Sequence, residues 1–88
     1  MHIELEPELD ACVETQAKRL YNQTLSKLLK VGKNKELEGK LELLKLFLES
    51  ADFSKLRSES EPHLVEGKKV IFILHLKEGK PEYEMKVT

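Results

Sequence analysis

The clearest pattern in the chain lies near its end. Residues 70–76, Val-Ile-Phe-Ile-Leu-His-Leu, are almost wholly apolar, and residues 82–87, Glu-Tyr-Glu-Met-Lys-Val, alternate strictly between charged and apolar. Both read as strands, and Lys77-Glu78-Gly79-Lys80-Pro81 between them reads as a turn. With Glu78-Gly79 as a two-residue turn, Lys77 faces Lys80, Leu76 faces Pro81, His75 faces Glu82, Leu74 faces Tyr83, Phe72 faces Met85 and Val70 faces Val87. A three-residue loop would set Leu74 against Glu84 and Phe72 against Lys86, so that register is rejected. Pro81 agrees, since it then occupies a non-hydrogen-bonded position where its missing N–H is not needed.

This hairpin, residues 68–88, presents Val70, Phe72, Leu74, Leu76, Tyr83, Met85 and Val87 on one face. The other face carries Ile71, Ile73 and His75 opposite Lys86, Glu84 and Glu82. The all-charged outer row of the second strand marks it as a sheet edge. The apolar outer row of the first strand places that strand further inside a sheet, and a third short strand should pair with it. Candidates are His2 to Leu5, His63 to Glu66, or a strand from another subunit.

Period-3.6 patterns fill the first half. From about Glu8 to Val31, Leu9, Val13, Ala17, Leu20, Tyr21, Thr24, Leu28 and Val31 fall on one helical stripe, with Pro7 at the first turn and Gly32 just past the end. A break at Asn22-Gln23 would divide this segment into two helices. Asn34 can cap a second helix running to about Ala51. On it Leu37, Leu41, Leu44, Leu48 and Ala51 share a face that Leu43 and Phe47 widen, enough for two neighbours. The short connector Gly32-Lys33-Asn34 makes the pair an antiparallel helical hairpin over residues 7–51. Residues 52–69 read as an ordered connector, with at most one more turn at Asp52 to Arg57 and with Ser58-Glu59-Ser60-Glu61-Pro62 as polar punctuation. The expected fold is therefore α+β: a two-helix antiparallel hairpin packed on a C-terminal antiparallel β-hairpin, with a possible third short strand, as one domain over residues 1–88.

At 88 residues, such a domain hides only about 60 to 65 per cent of the surface its unfolded chain exposes, which favours support from a partner. Fifteen Lys and Arg against 16 Asp and Glu leave a net charge of −1, so overall charge draws the chain to neither nucleic acid nor an anionic membrane. The longest apolar run, Val70 to Leu74, is far short of the roughly 20 residues of a membrane span. The start Met-His-Ile-Glu-Leu-Glu-Pro has no signal-peptide pattern and Cys12 has no cysteine to pair with, so the cytoplasm is the expected compartment.

Candidate chemistry adds little. His75 opposite Glu82 could orient a general base, but a cross-strand ion pair uses the same two residues and no Ser or Cys nucleophile accompanies them. His2, His63, His75 and Cys12 lack any metal-ligand spacing, and the four glycines are isolated, so neither a metal nor a cofactor is expected. Cys12 has Glu8 and Asp10 near it and no base within a turn, which suits a small boundary residue. Charge does segregate. Residues 1–14 hold five acids and no Lys or Arg, while residues 15–35 hold Lys18, Arg19, Lys27, Lys30, Lys33 and Lys35 and no acid. The lysines could touch phosphates, though the helix dipole favours the same arrangement.

The stretch Ile-Glu-Leu-Glu-Pro-Glu-Leu-Asp-Ala-Cys-Val-Glu-Thr-Gln-Ala-Lys-Arg-Leu, residues 3–20, resembles the opening of ribbon-helix-helix proteins. The resemblance implies a strand paired across a dimer and, with His2, Glu4 and Glu6 as its outward residues, a strand laid in a DNA major groove. Two features depart from that family: the outward carboxylates would repel phosphates, and Tyr21-Asn22-Gln23 stands where the family has glycine and a capping residue.

The functional expectation is a non-enzymatic protein-interaction or self-association module, with a homodimer or another protein as the partner. Its interface candidates are Ile71 and Ile73, together with Leu46 and Leu29, which lie off the main helix faces. The alternative is a nucleic-acid-binding regulator acting through Lys27, Lys30, Lys33 and Lys35.

Overall fold

In the computed structural model, which describes residues 2–88, the chain forms β1 (His2–Leu5), α1 (Val13–Val31), α2 (Lys35–Ser50), α3 (Phe53–Val65), β2 (Val70–Lys77) and β3 (Lys80–Val87). The fold is α+β, with three helices and one antiparallel sheet of strand order β1-β2-β3. The β2–β3 register runs from Val70 opposite Val87 to Lys77 opposite Lys80, as the alternation predicts. Glu78 (φ 52°) and Gly79 (φ 77°) both take left-handed backbone, the requirement of the tight hairpin turn whose twist matches the flanking strands. The third strand is His2 to Leu5. It pairs with the free side of β2, setting Ile3 opposite Leu74 and Leu5 opposite Phe72.

The helices lie on the sheet face that carries the even-numbered residues of β2. Val70, Phe72 and Leu74 are fully buried there, against Ile3 and Leu5 of β1, Val13 and Ala17 of α1, Leu43, Leu44 and Phe47 of α2, and Leu56 of α3. Leu20, Leu48, Tyr83, Met85 and Val87 close the margin. The buried centre of α2 is Leu43-Leu44-Phe47, turned from the Leu37-Leu41-Leu44-Leu48 stripe because this helix touches β2 and β3 as well as α1. Phe72 meets Tyr83 edge to face at 5.6 Å, and Phe47 meets Phe53 in the same manner at 5.5 Å, which ties α2 to α3.

Three expectations change. Helix α1 begins at Val13, not near Glu8, because residues 8–11 close a tight turn in which the Glu8 N–H donates to the Ala11 carbonyl (2.9 Å) and the Ala11 N–H to the Glu8 carbonyl (3.1 Å). Leu9 therefore leaves the stripe it fits by spacing and is 65 per cent exposed. From Val13 the helix runs unbroken through Asn22-Gln23, and Gly32 ends it at φ 79°, its N–H donating to the Leu28 carbonyl.

The second change is larger. Residues 53–65, read from sequence as a connector, form α3. Asp52 caps it by accepting from the Lys55 N–H at 3.1 Å, Leu56 supplies its core contact, and the Ser60 hydroxyl donates to the Leu56 carbonyl at 3.0 Å. Pro62 is tolerated because it sits in the last turn, where the carbonyl it leaves without a helical partner is that of exposed Ser58. The third change follows: the helical layer has three members rather than two. Asn34 caps α2 as its position predicts, accepting from the Leu37 N–H at 3.1 Å.

These contacts set an order of sensitivity. Phe72→Ala is expected to cost about 3 to 5 kcal/mol, whereas Asp52→Ala should cost about 1 kcal/mol through the lost cap. Urea denaturation should show the first shifting the midpoint several times further than the second.

Candidate functional site

Period-two geometry sends every residue between the buried ones of β2 to the opposite face of the sheet. That face carries Ile71, Ile73 and His75 down its centre, with Glu4 beside Ile73 and His2 beside His75 on the β1 side. On the β3 side stand Lys86, Glu84 and Glu82, opposite Ile71, Ile73 and His75. Ile71, Ile73 and His75 are half-buried, whereas Val70, Phe72 and Leu74 are fully covered by the helical layer. His75 Nε2 stands 3.6 Å from Glu82 Oε2, the expected cross-strand pair, and Lys69 Nζ stands 3.5 Å from Glu6 Oε1 at the other end of the face.

The four interface candidates do not form one patch. Ile71 and Ile73 share the open sheet face. Leu46 is half-buried in α2, within the helical layer, and Leu29 is 79 per cent exposed near the end of α1, one turn after Leu25 at 36 per cent. Lys27, Lys30, Lys33 and Lys35 are all exposed around the α1–α2 turn and make no ion pair among the described residues. The strand that ribbon-helix-helix proteins pair across a dimer is here hydrogen-bonded to β2 of its own chain. His2 is brought opposite His75 by the register, but no group of three or more metal-ligating side chains forms among the described residues.

A second feature escaped sequence reasoning because it needs α3. A groove of about 380 Å³ runs between the turn at residues 7–12, the first turn of α1 and one side of α3. Val13, Phe53 and Leu64 give it an apolar lining, Glu8, Asp10, Glu14 and Glu61 line it with charge, and its one lysine or arginine, Arg57, is held by Glu61 at 3.1 Å. The helical spacing of Phe53, Leu56, Ser60 and Leu64 was the available signal for its α3 wall.

Cys12 lies in this groove as the cap residue of α1, its Sγ 3.3 Å from the Thr15 hydroxyl. That hydroxyl first, and then the Thr15 amide, hold the thiol below its ordinary pKa, against the opposing effects of burial and the Glu14 carboxylate. No lysine or arginine stands within a turn of Cys12, so nothing in the sequence marks this lowering. Across the core, burial and then the charge of Glu59 on α3 push the Tyr83 phenol up.

A family model matches residues 1–86 of the chain. No curated protein and no solved structure matches it. No helix of the described residues is long and apolar enough to cross a membrane.

Because Thr15 leads the causes acting on Cys12, Thr15→Val should raise the thiol pKa. The check is a spectrophotometric titration of thiolate absorbance, and an unchanged midpoint would remove the hydroxyl from this account.

Proposed function

We propose that this chain, which belongs to the family whose model spans residues 1–86, is a non-catalytic self-association module that docks a second copy on the open face of its sheet. The observation that carries this reading is the pair Ile71 and Ile73, on the central strand, with no helix over them and only charged residues beside them. Central strands of two-layer folds can leave one face to water, but such faces ordinarily alternate to polar residues. Here the alternation fails at two isoleucines.

A second copy fits this face through its charges. With a two-fold axis crossing β2 between Ile71 and Ile73, perpendicular to the strands, Ile71 of one copy lies over Ile73 of the other. The same axis sets Glu84 over the second copy's Lys86 and Lys86 over its Glu84. Over β2 and β3 the contact is then self-complementary, as an isologous dimer requires, while over β1 Glu4 meets the second copy's Glu6, which has Lys69 at 3.5 Å. The free edge of β3 carries Lys80, Glu82, Glu84 and Lys86, and such a charged row discourages pairing with a further strand. Three strands at about 4.8 Å spacing and some seven residues of about 3.3 Å give a face of roughly 330 Å². That is under half of the roughly 800 Å² each partner buries in a standard interface, so the association is weak and reversible.

Sedimentation velocity over a wide concentration range tests the reading. At high salt the sedimentation coefficient of the wild type should still rise with concentration, because the isoleucine contact is apolar, and Ile73→Glu should abolish that rise while leaving the circular dichroism unchanged. Glu84→Lys and Lys86→Glu should each weaken association, and the double variant should regain it. A wild type that sediments as a monomer throughout would overturn the proposal.

A further inference from the structure

The segregation of charge along the first 35 residues and the exposure of Leu29 are not absorbed by the sheet face. Both find a counterpart in the groove beside α3. Glu8 and Asp10 line that groove and make no ion pair among the described residues, whereas Glu61 is held by Arg57 and Glu14 lies 3.7 Å from Lys18. At the other end of α1, Leu25 and Leu29 stand one turn apart on a single side of the helix, and the exposed Lys30, Lys33 and Lys35 follow them into the start of α2.

We propose that the basic, leucine-bearing end of the α1–α2 hairpin of one copy docks in the acidic groove of another copy, joining copies head to tail. The groove offers an apolar floor and unmatched carboxylates, and the hairpin end offers an exposed leucine and unmatched lysines. The two lie at opposite ends of α1. Nineteen residues at about 1.5 Å each hold them roughly 28 Å apart, so they can meet only between copies. The helix dipole alone does not account for the pattern. Glu8 and Asp10 precede the helix, Glu61 belongs to α3, Lys33 and Lys35 follow the end of α1, and no dipole requires an exposed leucine. A contact of this kind joins two different patches, so it does not close on itself at a dimer.

The test is run in the Ile73→Glu background, where the sheet face is disabled. A hairpin-end variant adds Leu29→Gln and Lys30→Gln, and a groove variant adds Glu8→Gln and Asp10→Asn; all four positions are exposed. At low salt the background protein should show mass rising with concentration beyond a dimer, and high salt should reduce it. Each variant alone should stay monomeric, while their equimolar mixture should give a 1:1 complex and nothing larger, because one retains the groove and the other the hairpin end. The proposal is overturned if the background protein is monomeric, if either variant associates as the background does, or if the mixture stays monomeric. Salt-sensitive binding of a short DNA duplex by the background protein, lost in the hairpin-end variant and without association between copies, would assign the lysines to nucleic acid and likewise overturn it. A monomeric background leaves the wild-type sheet-face result standing, so the two proposals fail separately.

Discussion

Everything in this fold answers to the burial of one row of β2. Val70, Phe72 and Leu74 have no contact with solvent, and each neighbouring element is placed by what it adds to their surroundings. β1 contributes Ile3 and Leu5 on one side, β3 contributes Tyr83 and Met85 on the other, and α2 lays Leu43, Leu44 and Phe47 across the middle. A short chain hides a smaller fraction of its surface than a long one, so it has no second core to fall back on. Burial along the helices falls off away from this row. α2 lies against it with three buried residues, whereas the far end of α1 passes beyond it and ends with Leu29 in water.

What the sequence disclosed follows the same gradient. The β2–β3 register was legible because a slip of one residue would have set Leu74 against Glu84 and Phe72 against Lys86, a penalty visible in the letters alone. The cap at Asn34 was legible because a polar residue before an apolar period has one common use. α3 was not, since its buried contributions come down to Leu56 and Ser60, and the remainder of the helix is polar and interrupted by Pro62. Its existence depends on Leu56 and Phe53 reaching a core that other elements build. The start of α1 was misplaced for a related reason: Leu9 has the right spacing, but the backbone there is taken by the Glu8–Ala11 turn.

The surfaces divide in a similar way. Ile71 and Ile73 could be singled out because they break an alternation, and the structure does leave them without a helix over them. Leu46 has the same sequence signature and is half-buried in the helical layer, so an off-stripe leucine on a helix with several neighbours says little. The groove had no sequence signature of its own. It arises where a turn, a helix start and a helix flank converge, and one of those three was unseen.

The pairing of β1 with β2 joins distant parts of the chain, Ile3 to Leu74 and Leu5 to Phe72. During synthesis β1 leaves the ribosome before the three helices, and its partner strand only after them. Until then Ile3 and Leu5 have no sheet to join, and α1 and α2 can pair only with each other. The loop that must close runs from Leu5 to Phe72, which raises contact order and slows the final step. The helical hairpin is therefore able to form early, whereas the sheet, together with the buried row that depends on it, waits for β2.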